Sequence, residues 1–153
     1  MSAELMKRFE GGCDAPTIIM NWTCLNPWLQ PYSVSITPLV AGYKTAMRIG
    51  QMDDACTSFT QYLTCGLASG LSLKTLVNDA ANHTITVNES NDDRMRGMLF
   101  PLCQYMINLH DITCKQPTEL TGVAMDAQKF LDEMEGNTNA KFSYYLYKAN
   151  TCY

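Results

Sequence analysis

Two histidines and several aspartates supply the residue types that bind a catalytic metal. His83 is followed by the adjacent pair His110 and Asp111, and Asp126 or Asp132 comes later in the chain. Imidazole and carboxylate groups in combination suit divalent metals. His110 also continues an apolar helical stripe, where a hydrogen-bonded residue at the core edge is the simpler interpretation.

The stretch Gly66–Thr75 contains the residue types of a phosphate-binding loop. Such a loop needs glycine directly before Lys-Ser or Lys-Thr, so that backbone N–H groups surround the phosphate while lysine reaches it. Here three residues separate Gly70 from Lys74, and no strand precedes them. The pattern therefore indicates the end of one helix and the beginning of the next.

The chain has seven cysteines, without a CxxC pair or a Cys/His box. Cys103, His110 and Cys114 could provide a nucleophile pair or zinc ligands. Seven residues of helix place the first two about 10.5 Å apart along the axis, too far for direct proton transfer. We expect the cysteines to be small buried hydrophobic residues, and we expect neither metal nor cofactor.

The length suits one domain or part of a larger one, and the composition is globular. Of the 153 residues, 46% are hydrophobic and 17% charged, and the net charge is −4. This balance gives no electrostatic basis for binding nucleic acid. The sequence has no apolar run of the ~18 to 20 residues that a membrane helix needs, and residues 1–11 lack the apolar core of an export signal. We expect a cytoplasmic protein.

Apolar residues recur at steps of three and four from Ser35 onward, which predicts an all-α domain over residues 31–153, with about six helices joined by short turns as antiparallel neighbours. Residues 1–30 are predicted to be an irregular lead-in with a short helix around Thr17–Cys24. The expected buried stripes are Ile36, Leu39, Val40, Tyr43 and Met47; Ala55, Phe59, Tyr62, Leu63 and Gly66; Leu73, Leu76, Val77, Ala80 and Thr84; Met95, Met98, Leu99, Leu102, Cys103, Met106, Ile107 and His110; Val123, Ala127, Phe130, Leu131 and Met134; and Phe142, Tyr145, Leu146 and Ala149.

Capping residues predict the helix boundaries. The expected N-terminal caps are Ser35 or Thr37 (with Pro38 in the first turn), Asp53 or Asp54, Ser72, and Asp92 or Asp93. Glycine is expected to end the first helix at Gly50. Pro101 should bend its helix near Gly97. Asn88–Asp93 is predicted to be a polar turn.

The first two helices partly match the tetratricopeptide repeat pattern. Ala55 and Phe59 fall on its small and aromatic positions, whereas Gly42 and Ala46 stand where larger residues are usual. Over residues 20–153 the chain also resembles the helical-repeat region of large signalling ATPases, which join a protein-kinase-like domain and a P-loop ATPase to a sensor histidine kinase or nucleotide cyclase. The matching segments are Asn26-Pro27-Trp28, Pro31, Leu39, Gly42, Tyr43, Gly50, Ala55, Ser69-Gly70-Leu71-Ser72-Leu73, Gln104, Asn108-Leu109, Leu120-Thr121-Gly122, Tyr145 and Tyr147-Lys148.

The resemblance implies a non-catalytic scaffold or signal-relay segment, an α-solenoid part of a longer array. Its partners would be proteins, either neighbouring repeats or domains of a parent chain or other proteins, and neither nucleic acid nor membrane. The alternative is a small all-α metal-dependent phosphohydrolase of HD type that uses His83, His110 and Asp111. Such enzymes use a histidine, a His-Asp pair and a distant aspartate.

Overall fold

The computed structural model describes residues 30–90, 92–111 and 117–152, and within these ranges every regular element is an α-helix. This confirms the all-α prediction for the described part of the chain. The helices are α1 (Ser33–Ile49), α2 (Met52–Ala68), α3 (Leu73–Ser90), α4 (Asp93–His110), α5 (Ala127–Glu133) and α6 (Thr138–Thr151). The predicted short helix around Thr17–Cys24 and the lead-in, except Gln30, lie outside the described residues.

The chain divides into two compact units, Met1–Leu71 and Ser72–Tyr153, and the boundary falls inside the predicted helical domain. In the first unit α1 packs against α2. All five residues of the predicted α2 stripe are buried, and the rings of Tyr43 and Phe59 meet with centroids 5.2 Å apart. The described part of this unit, residues 30–71, is a helical hairpin with an aromatic cluster.

The buried side of α1 differs from the predicted stripe by about one residue. Its fully buried positions are Ser35, Leu39, Gly42 and Ala46. Ile36, Val40, Tyr43 and Met47 are only half-buried. The prediction was wrong because it followed side-chain size, whereas three of the four buried positions carry small residues.

Glycine ends both helices of the first unit. Gly50 and Gly70 each have φ of +78°, the left-handed conformation that glycine adopts without strain. The next residues, Gln51 and Leu71, donate to the carbonyls of Ala46 and Gly66, which completes a Schellman motif in each case. The predicted end of α1 at Gly50 is therefore confirmed.

The predicted N-terminal caps of α1 and α2 were wrong. Turns at Pro31 and Tyr32 start α1 at Ser33, so Pro38 lies in the second turn rather than the first. Gln51 is the N-cap residue of α2, and Asp53 and Asp54 lie inside its first turn, where their charge favours the helix dipole.

The second unit is built around α4, which packs against both α3 and α6. Asp92 caps α4 as predicted: its Oδ1 accepts the backbone N–H groups of Arg94 (2.8 Å) and Met95 (3.3 Å). Most of the predicted stripe is buried, but His110 is exposed because the last turn extends past the core. The helix is continuous through Pro101, and the bend expected near Gly97 stays a prediction.

Two boundaries in the second unit differ from the predictions. The predicted turn at Asn88–Asp93 is shorter, because α3 continues to Ser90. The fifth helix begins only at Ala127, where Asp126 caps it, and Val123 is 93% exposed instead of buried. Side-chain hydrogen bonds hold the preceding loop in a non-helical path, as described below.

Candidate functional site

The structure does not gather the candidate metal ligands. His83 is buried within α3, whereas His110 and Asp111 are exposed at the end of α4. Asp126 caps α5 by accepting the Lys129 N–H at 2.9 Å, and Asp132 accepts a bond from a glutamine side chain. Among the described residues, no three histidine, cysteine or acidic side chains stand close enough to hold a metal ion.

The other two candidate motifs, the stretch Gly66–Thr75 and the set of Cys103, His110 and Cys114, are parts of helices and their ends where the structure describes them. Gly70 ends α2 and Lys74 is exposed near the start of α3, as expected for a helix exit followed by a new helix. Cys103 is buried on α4 while His110 is exposed, so these two do not form a pair at a common surface. Cys114 lies outside the described residues.

A charged cleft of about 180 Å³ between α4 and α5 is held by ion pairs. Arg96 contacts Glu133 at 2.9 Å and Asp93 at 3.2 Å, and its guanidinium lies 5.6 Å from the centre of the Phe100 ring. Lys129 is a second, longer partner of Glu133, at 3.8 Å. These groups neutralise one another and fasten α5 to α4, which gives the cleft a structural role.

Two buried amides on α4 hold the loop that leads to α5. Gln104 donates to the Asn108 side-chain carbonyl at 2.7 Å and accepts the Ala124 N–H at 2.9 Å. Asn108 in turn donates to the backbone carbonyls of Pro117 and Glu119, at 3.1 and 2.7 Å. Buried polar groups need such partners, so this network specifies the path of the loop.

The C-terminal helix holds the same loop from the other side. Lys148 forms an ion pair of 3.0 Å with Glu119, whose hydrogen bond raises the pKa of the lysine. The Thr151 hydroxyl contacts the Thr118 carbonyl at 3.2 Å, and Tyr147 stacks on Tyr105 of α4.

Several segments that carried the sequence resemblance therefore meet at one place. Gln104 and Asn108 on α4, the buried Leu120 with Gly122, and Lys148 on α6 all belong to this loop clamp. A Cβ on Gly122 would stand 2.7 Å from the Gln104 Nε2 atom, so a larger residue there would displace the amide.

The outer face of α6 is apolar and exposed. We define this outer face as Phe142, Tyr145, Leu146 and Ala149, which are the residues that the sequence pattern predicted to be buried. Phe142, Tyr145 and Leu146 are 67%, 58% and 44% exposed. The prediction was wrong about the face: Ala140 and Tyr144 pack inward instead, and Tyr144 stacks on Phe130 of α5.

The two edges of the outer face differ in charge. At 100° per residue, Lys141 and Lys148 fall along one edge, whereas Asn139 and Asn150 fall along the other. Lys148 is already paired with Glu119, so a partner with a carboxylate beside its apolar residues would match this edge at Lys141.

An apolar cavity of about 180 Å³ lies between α3, α4 and the clamped loop. Its described walls are Val77, Ala80, Ala81, Thr84, Cys103, Ile107, Val123 and Ala124. Protein interiors have few voids larger than a water molecule. The cavity is open to solvent at one side, since two of its wall residues, Val123 (93%) and Ala81, are exposed. Sequence reasoning missed it, because a gap left by alanines has no periodic signal.

Comparisons with protein-family models, with curated proteins and with solved structures each returned no match. None of the described helices combines the length and the hydropathy that crossing a bilayer requires.

Proposed function

We propose that the chain is a non-catalytic helical scaffold that binds an amphipathic helix, that of an adjacent repeat, on the outer face of α6. The observation that carries this proposal is the exposure of Phe142, Tyr145 and Leu146 on a helix whose opposite side is already packed. Large apolar side chains grouped on one surface are typical of an interaction site.

The size of the outer face favours a helix over a globular partner. From Phe142 to Ala149 the stripe is about 10.5 Å long, or two helical turns. Two aromatic side chains and one leucine supply a few hundred Å², well below the roughly 800 Å² per partner of a standard interface. A single helix with apolar residues at i, i+3, i+4 and i+7 covers such a stripe.

The sequence resemblance supplies the proposed context. In a helical-repeat array each hairpin leaves one face for the next hairpin to cover. We therefore place the chain in the helical-repeat region of a multidomain signalling ATPase, with the first helix of an adjacent repeat as the occupant. A coding sequence for a kinase-like or P-loop domain beside this reading frame would support that context, and flanking frames without either domain would contradict it.

The binding test uses the full chain and a labelled synthetic peptide. The peptide is an 18-residue helix with leucine at i, i+3, i+4 and i+7 and with glutamate along one edge. We expect saturable binding by fluorescence anisotropy, at least tenfold weaker for Phe142→Asp, and weakened by salt. A version of the peptide with lysine in place of glutamate should bind less tightly.

The matched control is Tyr32→Asp, which puts the same charge on an exposed aromatic position of the first unit. It should leave the affinity unchanged. Equal binding by wild type and Phe142→Asp, or no saturable binding at all, would refute the proposed site.

A further inference from the structure

The cavity beside the clamped loop has the chemistry of a small ligand site. Its described lining contains no charged side chain, and its polar groups are few. The Thr84 hydroxyl already donates to the Ala80 carbonyl at 2.7 Å, with the Cys103 sulfur 3.8 Å away. An ion or a strongly polar ligand would lose its hydration here without compensation.

The cavity is also preformed. Three of its wall residues are alanines, and two walls are parts of helices that pack against each other. The third wall is fixed because the buried Gln104 amide accepts the Ala124 N–H. Ligand sites are usually such pre-shaped, mainly apolar concavities.

We propose that this cavity binds a small uncharged apolar molecule, such as a monocyclic aromatic compound or a short branched hydrocarbon. A closed apolar cavity of about 150 Å³ accommodates benzene, so this open pocket of about 180 Å³ is large enough for one ring with a short substituent. This proposal is independent of the outer face of α6, which contributes no residue to the described walls.

The test titrates toluene into the full chain while the methyl signals are followed by carbon–proton NMR. We expect saturable shifts confined to the methyl groups of the wall residues, among them Val77, Ala80 and Ile107, with a dissociation constant in the millimolar range or below. Ala80→Leu should fill the cavity and reduce the toluene affinity at least tenfold. Ala124→Leu is the second filling variant, for the case that the first disturbs folding.

Two controls separate the possible causes. Ala41→Leu makes the same change on an exposed site of α1 and should leave toluene binding intact, and so should Phe142→Asp. Shifts spread over exposed side chains, or equal affinity in both filling variants and wild type, would overturn the proposal. The proposal would also be overturned if toluene did not bind and a side chain of a partner protein occupied the cavity instead.

Discussion

Gly97 of α4 lies so close to Ala140 of α6 that a Cβ atom on Gly97 would stand 2.5 Å from the Ala140 Cβ and 3.3 Å from its Cα. Ala140 is buried, and α4 and α6 pack against each other at this point. The crossing depends on two small residues that let two backbones approach. Glycine is needed here for space, although Gly97 also lies four residues before Pro101.

Replacing Gly97 with alanine should destabilise the protein. Alanine gains about 1 kcal/mol of helix propensity, but the clash with Ala140 costs more, so we expect a net loss of about 1 to 2 kcal/mol. Urea denaturation measures this difference. Gly136→Ala is the control, because nothing lies within 4 Å of a Cβ there, and its stability should change little. A more stable Gly97→Ala protein would show that the helices do not cross as described.

The loop clamp predicts a specific effect of Gln104→Met. Methionine keeps the side-chain volume, but it removes the acceptor of the Ala124 N–H and the donor to the Asn108 side-chain oxygen. We expect a loss of about 2 to 3 kcal/mol and faster hydrogen exchange of the Ala124 amide. Gln128→Met removes one exposed bond to Asp132 and should cost less than about 0.5 kcal/mol. Unchanged exchange at Ala124 would contradict the clamp.

Acid should destabilise the second unit through His83. Burial lowers the pKa of His83 from 6.5 to about 4. The unfolded chain therefore binds the proton more readily, and the stability present above pH 6.5 decreases as the pH falls toward 4. Between pH 7 and pH 5 this amounts to about 2 kcal/mol.

The measurement is the free energy of unfolding at several pH values for wild type and His83→Gln. The variant should lose most of this dependence between pH 7 and 5. His110→Gln, at an exposed position, should follow the wild-type curve. A wild-type slope retained in His83→Gln would assign the effect to other groups.

Hydrophobic periodicity and capping chemistry predicted the structural features that depend only on residues close together in the sequence. The Asp92 cap, the left-handed Gly50 and the buried α2 stripe all follow from local rules, because side-chain oxygens, glycine conformations and helical spacing act within one element. These features determine that helices form and where several of them begin or end.

The pattern could not predict which face of α6 turns inward. Phe142 and Leu146 form a stronger apolar stripe than Ala140 and Tyr144, yet the weaker one is buried, because Ala140 fits against Gly97. Contacts between small residues depend on how two helices cross. The spacing of hydrophobic residues along one helix contains no information about that crossing. The exposure of Val123 could not be predicted for a similar reason. Its loop is held by a hydrogen bond from the Ala124 N–H to Gln104, which is distant in sequence.

The proposed scaffold surface requires that α6 has a packed inner side and an open outer side, and the melting temperatures of two charge variants test this directly. Tyr144→Asp buries a carboxylate and removes the ring stacked on Phe130, so it should lower the melting temperature by more than about 10 °C or prevent folding. Phe142→Asp should melt within about 2 °C of wild type, since its ring contributes little to the core. Equal destabilisation by the two variants would show that the outer face belongs to the core, and the proposed scaffold surface would not exist.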